Sequence, residues 1–246
     1  ATVLAQGVAF FCFTTALRRK GPRSQDALQL RWPGLRAIKR SGVAGPLLSV
    51  TGVLMLRAIA GMMSYSLMAY TATGLPTAEL AAHQCTFQLF WLFSFSVGPL
   101  STATQSLVGR DRDGSPDRGL RLARAALRTA LVGAGLLALA QIGVQCSTLK
   151  GLLTRDLAIQ NVLSSKLALV AALCHIPTAA AVMCDGIAIA MGYAGYLPRI
   201  FLLGLAGCVS ALAGATHAGM GVVGVWLGMH AFVGARLLGH AIWTRD

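Results

Sequence analysis

The chain has 246 residues, of which 55% are hydrophobic and only 12% are charged, and its formal net charge is +13. This composition excludes an ordinary soluble domain, in which about a quarter of the residues are charged. The apolar residues come in blocks of about 20, the length at which a helix crosses the roughly 30 Å hydrocarbon layer of a bilayer. The sequence therefore predicts an all-α, polytopic transmembrane helical bundle.

Seven apolar blocks are predicted as membrane spans. The third and fifth are longer than a straight span requires, and Pro99 and Pro177 lie inside them, so we expect these two helices to be tilted or broken. Freed backbone carbonyls at such breaks are suited to lining a cavity. The predicted spans are residues 1–17, 45–70, 80–108, 122–146, 162–191, 197–216 and 220–243.

The connection 18–44 is the one long linker and is strongly basic. Its mixture of Leu, Trp, Arg and Lys is typical of an interfacial helix on an anionic membrane surface, broken at Pro33, but a solvated basic loop fits equally well. Residue 1 is Ala and no signal or transit segment precedes the first span, so we expect the chain to be incomplete.

Positive charge is placed unevenly along the chain. Basic residues cluster between Arg18 and Arg40 and between Arg110 and Arg128, and Arg199, Arg236 and Arg245 follow at or near the ends of later spans. The positive-inside rule then places both basic connections and Asp246 on the cytosolic side, and the start of the chain outside. The charge thus predicts an orientation with membrane lipid as partner, and no nucleic-acid role.

Cysteine and histidine give no metal site or active site. The six cysteines lie mostly within spans without a C-x-x-C pair, which is typical of buried free thiols. His175 near Pro177 is interpreted as a packed helix residue, with a proton relay as the alternative. No Ser/His/Asp set, paired carboxylates or metal spacing can be assembled, so the sequence does not predict an enzyme.

Asp185 is the acidic residue that stands out, because it lies within the apolar run AVMCDGIAIAMG at residues 181–192. An intramembrane carboxylate costs about 2.5–3.5 kcal/mol on the insertion scale and usually faces a bundle interior or a cavity. Two interpretations stay open. Asp185 is either a functional ion-coupling site or a structural ion-pair partner, for example of Arg57.

Other polar residues inside the spans recur at helical spacing. One stripe contains Ser101 and Gln105, a second begins at Arg57, and Thr178 shares the face of Asp185. Small-residue stripes are also what close helix packing in lipid requires. The candidates for a cavity or substrate site at this point are Arg57, Gln84, Gln88, Ser101, Gln105 and Thr178.

Two stretches carry a resemblance to a known family. AAHQCTFQLFWLFSFSVGPLSTATQSLVGR, residues 81–110, resembles the eighth helix of MATE (multidrug and toxic compound extrusion) transporters, most closely the branch of bacterial damage-inducible and plant plastid proteins. DGIAIAMGYAGYL, from Asp185, resembles the tenth helix, and Arg57 fits an arginine common in the seventh helix of that branch. The resemblance implies a fold of twelve helices in two lobes.

On this resemblance the chain divides into four parts. Residues 1–17 are expected to be the final span of the N-terminal lobe and residues 18–44 a basic interlobe linker on the cytosolic side. Residues 45–243 are expected to form the six-helix C-terminal lobe, followed by a tail, 244–246. The N-terminal lobe would be missing, and it is the partner that a complete transporter needs.

The resemblance also implies a function, the export of organic cations, other small molecules or organic anions in exchange for H⁺ or Na⁺, with no further cofactor. Asp185 occupies the position of a tenth-helix acid implicated in cation coupling in some members. Gly98 and Tyr193 stand where relatives often have acids, so Tyr193 joins the cavity candidates. Coupling in this lobe would rest on Asp185 alone, or would lie in the missing lobe.

The sequence also allows other functions to be considered. A non-transporting or degenerate lobe with a structural role is the main one, because half of the expected transporter is missing. A seven-helix receptor is compatible with the charge bias, whereas a retinal protein is not, since 220–243 holds no lysine. The branch resembled suggests a plasma membrane or a plastid envelope as location.

Overall fold

The computed structural model of the chain describes residues 7–8, 10–12, 15, 44–111 and 116–243. The chain divides into two compact units, Ala1–Leu48 and Ser49–Asp246. In the first unit the few described residues before 44 are helical, and the Thr15 hydroxyl donates to the Phe11 carbonyl oxygen at 2.7 Å. The predicted span 1–17, the linker 18–44 and the tail 244–246 lie almost wholly outside the described residues, so their predictions remain open.

Helices account for nearly all of 44–111 and 116–243, and neither range contains a strand. The prediction of an all-α bundle is therefore confirmed. Two short 3₁₀ helices, Thr148–Leu152 and Ala194–Tyr196, lie between the α-helices. The α-helices are α1 (Ala44–Ala72), α2 (Thr77–Ser94), α3 (Val97–Asp111), α4 (Pro116–Cys146), α5 (Leu157–Leu163), α6 (Lys166–Leu173), α7 (His175–Ala190), α8 (Leu197–His217) and α9 (Gly221–Trp243).

Five segments of the described chain are long and apolar enough to cross a membrane, which makes this an integral multi-pass membrane protein. Each lies within or overlaps a predicted span, because the apolar blocks are continuous and hold few charged residues over a membrane thickness. The predicted span 80–108 is not among the five and consists of two shorter helices, α2 and α3. The five are Thr51–Ala72, Asp117–Cys146, Lys166–Ala190, Ala194–His217 and Gly221–Trp243.

The two long predicted spans are both broken, as expected from their prolines. Proline lacks an amide N–H and its ring crowds the carbonyl four residues earlier. Four residues before Pro99 is Phe95, which lies in the turn between α2 and α3, and four before Pro177 is Leu173, the last residue of α6. The breaks let α3 and α7 pack against each other as separate helices.

Helices α8 and α9 have the most extensive contact of any helix pair in the described bundle, because glycines allow their backbones to approach closely. A Cβ atom at Gly204 would lie 2.8 Å from the Phe232 carbonyl oxygen, and one at Gly239 would overlap the Ile200 side chain. Close backbone approach through small residues is how helices associate in lipid, where burial of apolar surface gives no drive. Polar side chains of α7 and α1, Asp185 and Arg57, lie against this pair of helices.

Candidate functional site

Asp185 lies buried near the centre of the bundle, with only 5% of its surface exposed. Its carboxylate accepts a hydrogen bond from Arg236 Nη2 at 2.6 Å on one oxygen. The other oxygen is 2.9 Å from His240 Nε2. A third basic group, Arg57 Nη1, is 3.6 Å from the oxygen that Arg236 contacts. We call Asp185, Arg57, Arg236 and His240 the charged cluster.

Helix α9 supplies two of these partners through its periodicity. Arg236 and His240 are four residues apart, so they project from the same face of α9 towards α7. The Tyr196 hydroxyl is 2.9 Å from His240 Nδ1, which fixes the imidazole ring from its other nitrogen. The absence of a side chain at Gly204 leaves room for the Arg236 stem, since a Cβ there would lie 3.1 Å from Arg236 Cγ.

The two arginines differ in how firmly they are held. Arg236 has a side chain only 4% exposed, and its guanidinium carbon lies 4.0 Å from the centre of the Phe201 ring and 5.3 Å from that of Phe232. Arg57, on α1, has a side chain that is 29% exposed and lies 5.5 Å from the Phe201 ring centre. At 3.6 Å its contact with Asp185 is an ion pair and not a hydrogen bond. Arg236 is therefore the tight partner and Arg57 the loose one.

A cavity of about 340 Å³ opens beside the charged cluster, in the size range of small-molecule sites. It lies among α1, α3, α7, α8 and α9. Four of the residues selected from the sequence line it: Arg57, Ser101, Gln105 and Asp185. The Ser101 hydroxyl donates to the Val182 carbonyl oxygen at 3.0 Å, which fastens α3 to α7 at the cavity wall. The other lining residues are Ala58, Gly61, Met62, Tyr65, Gly98, Val182, Gly186, Phe201 and Arg236.

The remaining sequence candidates lie elsewhere. Gln84 and Gln88 occupy the exposed face of α2, and Tyr193 is 65% exposed in the turn after α7. Thr178 is half-buried, and its hydroxyl lies 3.9 Å from Cys174 Sγ. None of these four lines the cavity beside Asp185.

Arg236, His240 and Tyr196 were missed by the sequence interpretation. The sequence predicts that Arg236 marks the end of the last span, but it is buried within α9 and paired with Asp185. A signal was present, since a basic residue inside an apolar span with a histidine four residues later usually faces a polar partner. Arg57, the partner that the sequence suggests for Asp185, lies 3.6 Å from its carboxylate.

A second polar cluster lies in the same bundle without any carboxylate or guanidinium. His175 Nε2 is 2.7 Å from Gln141 Oε1, its Nδ1 is 3.3 Å from Ser94 Oγ, and its ring stacks on Phe90 at 4.6 Å. We call His175, Gln141 and Ser94 the amide cluster. It joins α2, α4 and α7, which supports the interpretation of His175 as a packed helix residue.

Within the described residues no group of His, Cys, Asp and Glu could hold a metal ion. The six cysteines are free; Cys174 and Cys208 are buried, whereas Cys12 and Cys146 are exposed. The polar side chains that line the cavity are two arginines, one carboxylate, one amide and the hydroxyls of Ser101 and Tyr65.

No protein-family model and no curated protein matches the chain. Two solved structures are similar in fold. One is a MOP superfamily transporter from Pyrococcus furiosus Vc1 (DSM3638), for which the reversed polarity of the binding pocket is taken to suggest a different function; it has a TM-score of 0.64 at 18% identity and covers 80% of this chain and 44% of that one. The other is a multidrug resistance MATE family transporter of the MOP superfamily in an outward-facing conformation, with a TM-score of 0.65 at 18% identity, covering 81% and 45%.

These similarities show that the described bundle has a MATE-like fold. The chain spans less than half the length of the solved structures it matches. The expected branch within the family and the assignment to the C-terminal lobe stay predictions.

Proposed function

We propose that this chain is the C-terminal lobe of a secondary active antiporter that exports small organic molecules in exchange for H⁺ or Na⁺. The observation that carries the proposal is the charged cluster at the wall of a cavity inside a transporter-like bundle. Intramembrane ionisable residues that face a cavity mark substrate and ion pathways. The function is transport and not an enzymatic reaction, in the plasma membrane or a plastid envelope.

Asp185 is the proposed coupling residue. A proton or Na⁺ on its carboxylate would remove the negative charge that attracts Arg57 across 3.6 Å. Arg236 is additionally held by the rings of Phe201 and Phe232, so Arg57 is the partner that is free to respond. Ion binding at Asp185 would thereby change the charge and the position of a cavity-lining side chain.

Transport by this mechanism needs a second lobe. Alternating access is a rocking of one repeat against the other around a central site. We therefore expect no substrate flux from residues 1–246 alone in lipid vesicles, and gradient-driven efflux from cells that express the complete gene product. The similarity to under half of each solved structure also favours a second candidate, a lobe with a structural role and no transport.

The deciding experiment compares Asp185→Asn with the wild type in the complete gene product, by efflux of a panel of organic cations, anions and neutral compounds. The variant is nearly isosteric and uncharged. If Asp185 is a coupling residue, efflux by the inserted variant should no longer follow the ion gradient. If Asp185 is only a structural partner of the arginines, the variant should lose stability, but efflux by the fraction that is inserted and folded should still follow the gradient.

The matched control is Asp117→Asn, which removes an exposed carboxylate at the start of α4. Normal gradient-driven efflux in a normally stable Asp185→Asn protein would discard both roles. No gradient-driven efflux of any compound by the wild type would favour the structural lobe.

A further inference from the structure

The charges around the cavity do not balance, and this determines what it can bind. Two guanidinium groups, Arg57 and Arg236, line it together with one carboxylate, Asp185. None of the other acids whose side chains the structure describes lines it: Glu79 accepts from the Val222 amide, Asp156 caps α5 and Asp117 lies at the start of α4. With His240 counted as neutral, one positive charge is therefore left over among the described side chains at the cavity.

The surplus charge is localised on Arg57. Arg236 takes the carboxylate at 2.6 Å and is enclosed by two aromatic rings, so its charge is matched. Arg57 is 3.6 Å from the same oxygen, beyond hydrogen-bond distance, and its side chain is 29% exposed at the cavity. A guanidinium carries five N–H donors in a planar fork that fits a carboxylate with two parallel hydrogen bonds.

The rest of the wall suits a compact apolar body. Ala58, Gly61 and Gly98 leave space beside Arg57, and Met62, Val182 and Phe201 offer apolar surface. Gln105 adds an amide that can donate to an oxygen. A cation placed here would meet the unmatched charge of Arg57 at short range, and Asp185, the group it would need, is already shared by two arginines and a histidine.

We propose that this cavity binds small organic monocarboxylates, with the carboxylate of the ligand on the Arg57 guanidinium and its apolar part against Met62, Val182 and Phe201. The ligand brings the single negative charge that the cavity lacks. This inference rests on the proposed transport function only for its physiological meaning, since binding itself requires neither a gradient nor a second lobe.

The test is isothermal titration calorimetry on the full chain in detergent with three probes of matched shape. Benzoate carries the negative charge, benzylammonium a positive charge and benzyl alcohol none. We expect saturable binding of benzoate, at least about tenfold weaker binding of benzyl alcohol, and no saturable binding of benzylammonium. Heats of probe partition into the micelle are subtracted with protein-free detergent.

Variants assign the binding to Arg57. Arg57→Gln should weaken benzoate binding at least about tenfold, and Arg57→Lys should retain part of it because the charge remains and the fork is lost. Arg199→Gln removes the same charge from the exposed start of α8, outside the cavity, and should bind benzoate as the wild type does. Melting temperatures of the three variants verify that each is folded.

Three results would overturn the inference: absence of saturable benzoate binding, benzylammonium binding as tight as that of benzoate, or undiminished benzoate binding by a folded Arg57→Gln protein. Charge-selective binding together with absent efflux would leave the inference standing and discard the proposed transport. Efflux of organic cations without benzoate binding would do the reverse.

Discussion

The charged cluster and the amide cluster are both buried in the same bundle and both include a residue of α7, yet they differ in what they leave unmatched. In the amide cluster, His175 is bonded on both ring nitrogens by uncharged groups and covered by Phe90. In the charged cluster one carboxylate serves two guanidiniums, and one of them reaches the cavity. The difference indicates that burial alone does not identify a binding site in this protein. The feature that identifies it is the unmatched positive charge at the cavity.

The largest expected effect comes from removing the tight partner in the charged cluster. Arg236→Met removes the 2.6 Å hydrogen bond to the buried Asp185 carboxylate and leaves it with His240 at 2.9 Å and Arg57 at 3.6 Å, and breaking a buried pair costs roughly 3–5 kcal/mol. Chemical unfolding in detergent should show this loss of stability. The double variant Asp185→Leu with Arg236→Met should recover much of it, because it removes both buried charges of the pair and leaves only the partly exposed Arg57 without its carboxylate. A single variant as stable as the wild type would mean that the pair is not what holds α7 to α9.

A smaller effect is expected in the amide cluster. Gln141→Leu removes the acceptor 2.7 Å from His175 Nε2 and leaves that nitrogen buried, at a cost of about 1–3 kcal/mol, partly offset because the variant also removes the buried Gln141 Nε2, which has no hydrogen-bond partner among the described residues. Chemical unfolding in detergent measures this loss of stability as well. Adding His175→Phe should restore most of the stability, since the ring still stacks on Phe90 and the half-buried Ser94 hydroxyl is the one member of the amide cluster left to be paired. A loss as large as that of Arg236→Met would erase the distinction between the two clusters.

The smallest effect on stability is expected at Arg57, which makes it the sharpest test of the comparison. Its ion pair is long and its side chain partly exposed, and such pairs contribute about 0–1 kcal/mol. Arg57→Gln should therefore unfold close to the wild type while benzoate binding falls. A destabilisation of the size seen for Arg236→Met would make Arg57 a structural residue and not a ligand contact.

Most of the fold could be predicted from the sequence because the bilayer sets a length scale. The apolar blocks 45–70, 122–146, 197–216 and 220–243 coincide with α1, α4, α8 and α9 to within a few residues at most ends. Pro99 and Pro177 likewise gave the approximate places of the two breaks, since the steric effect of proline on the preceding turn is local. Asp185 could be selected because a carboxylate in an apolar span is costly wherever it lies.

The partners of Asp185 could not be predicted in the same way. Arg236 is 51 residues away, and its selection depends on the rotation of α9 about its axis and on the space left at Gly204. Gln84 and Gln88 were predicted as cavity residues, and the structure places them elsewhere. Their helical spacing puts them on one face of α2 but does not determine that this face points away from the cavity. Spacing determines which residues share a face, and tertiary packing determines what that face meets.

The sequence separation between Asp185 and Arg236 also sets a delay between the synthesis of the two residues. The chain is made from its N-terminus, so Asp185 is synthesised 51 residues before its tight partner. At elongation rates of about 5–20 residues per second, this is an interval of roughly 3–10 s. During it, α7 has to enter the membrane with a carboxylate for which α9 does not yet exist.

Arg57 precedes Asp185 in the chain and is already present during that interval. It is the basic residue of the charged cluster that can meet the carboxylate first, before the 2.6 Å contact with Arg236 is formed. The ion pair with Arg57, which is the longer one in the finished protein, is thus the first that Asp185 can form. The order of synthesis therefore gives Arg57 a part in the assembly of the bundle.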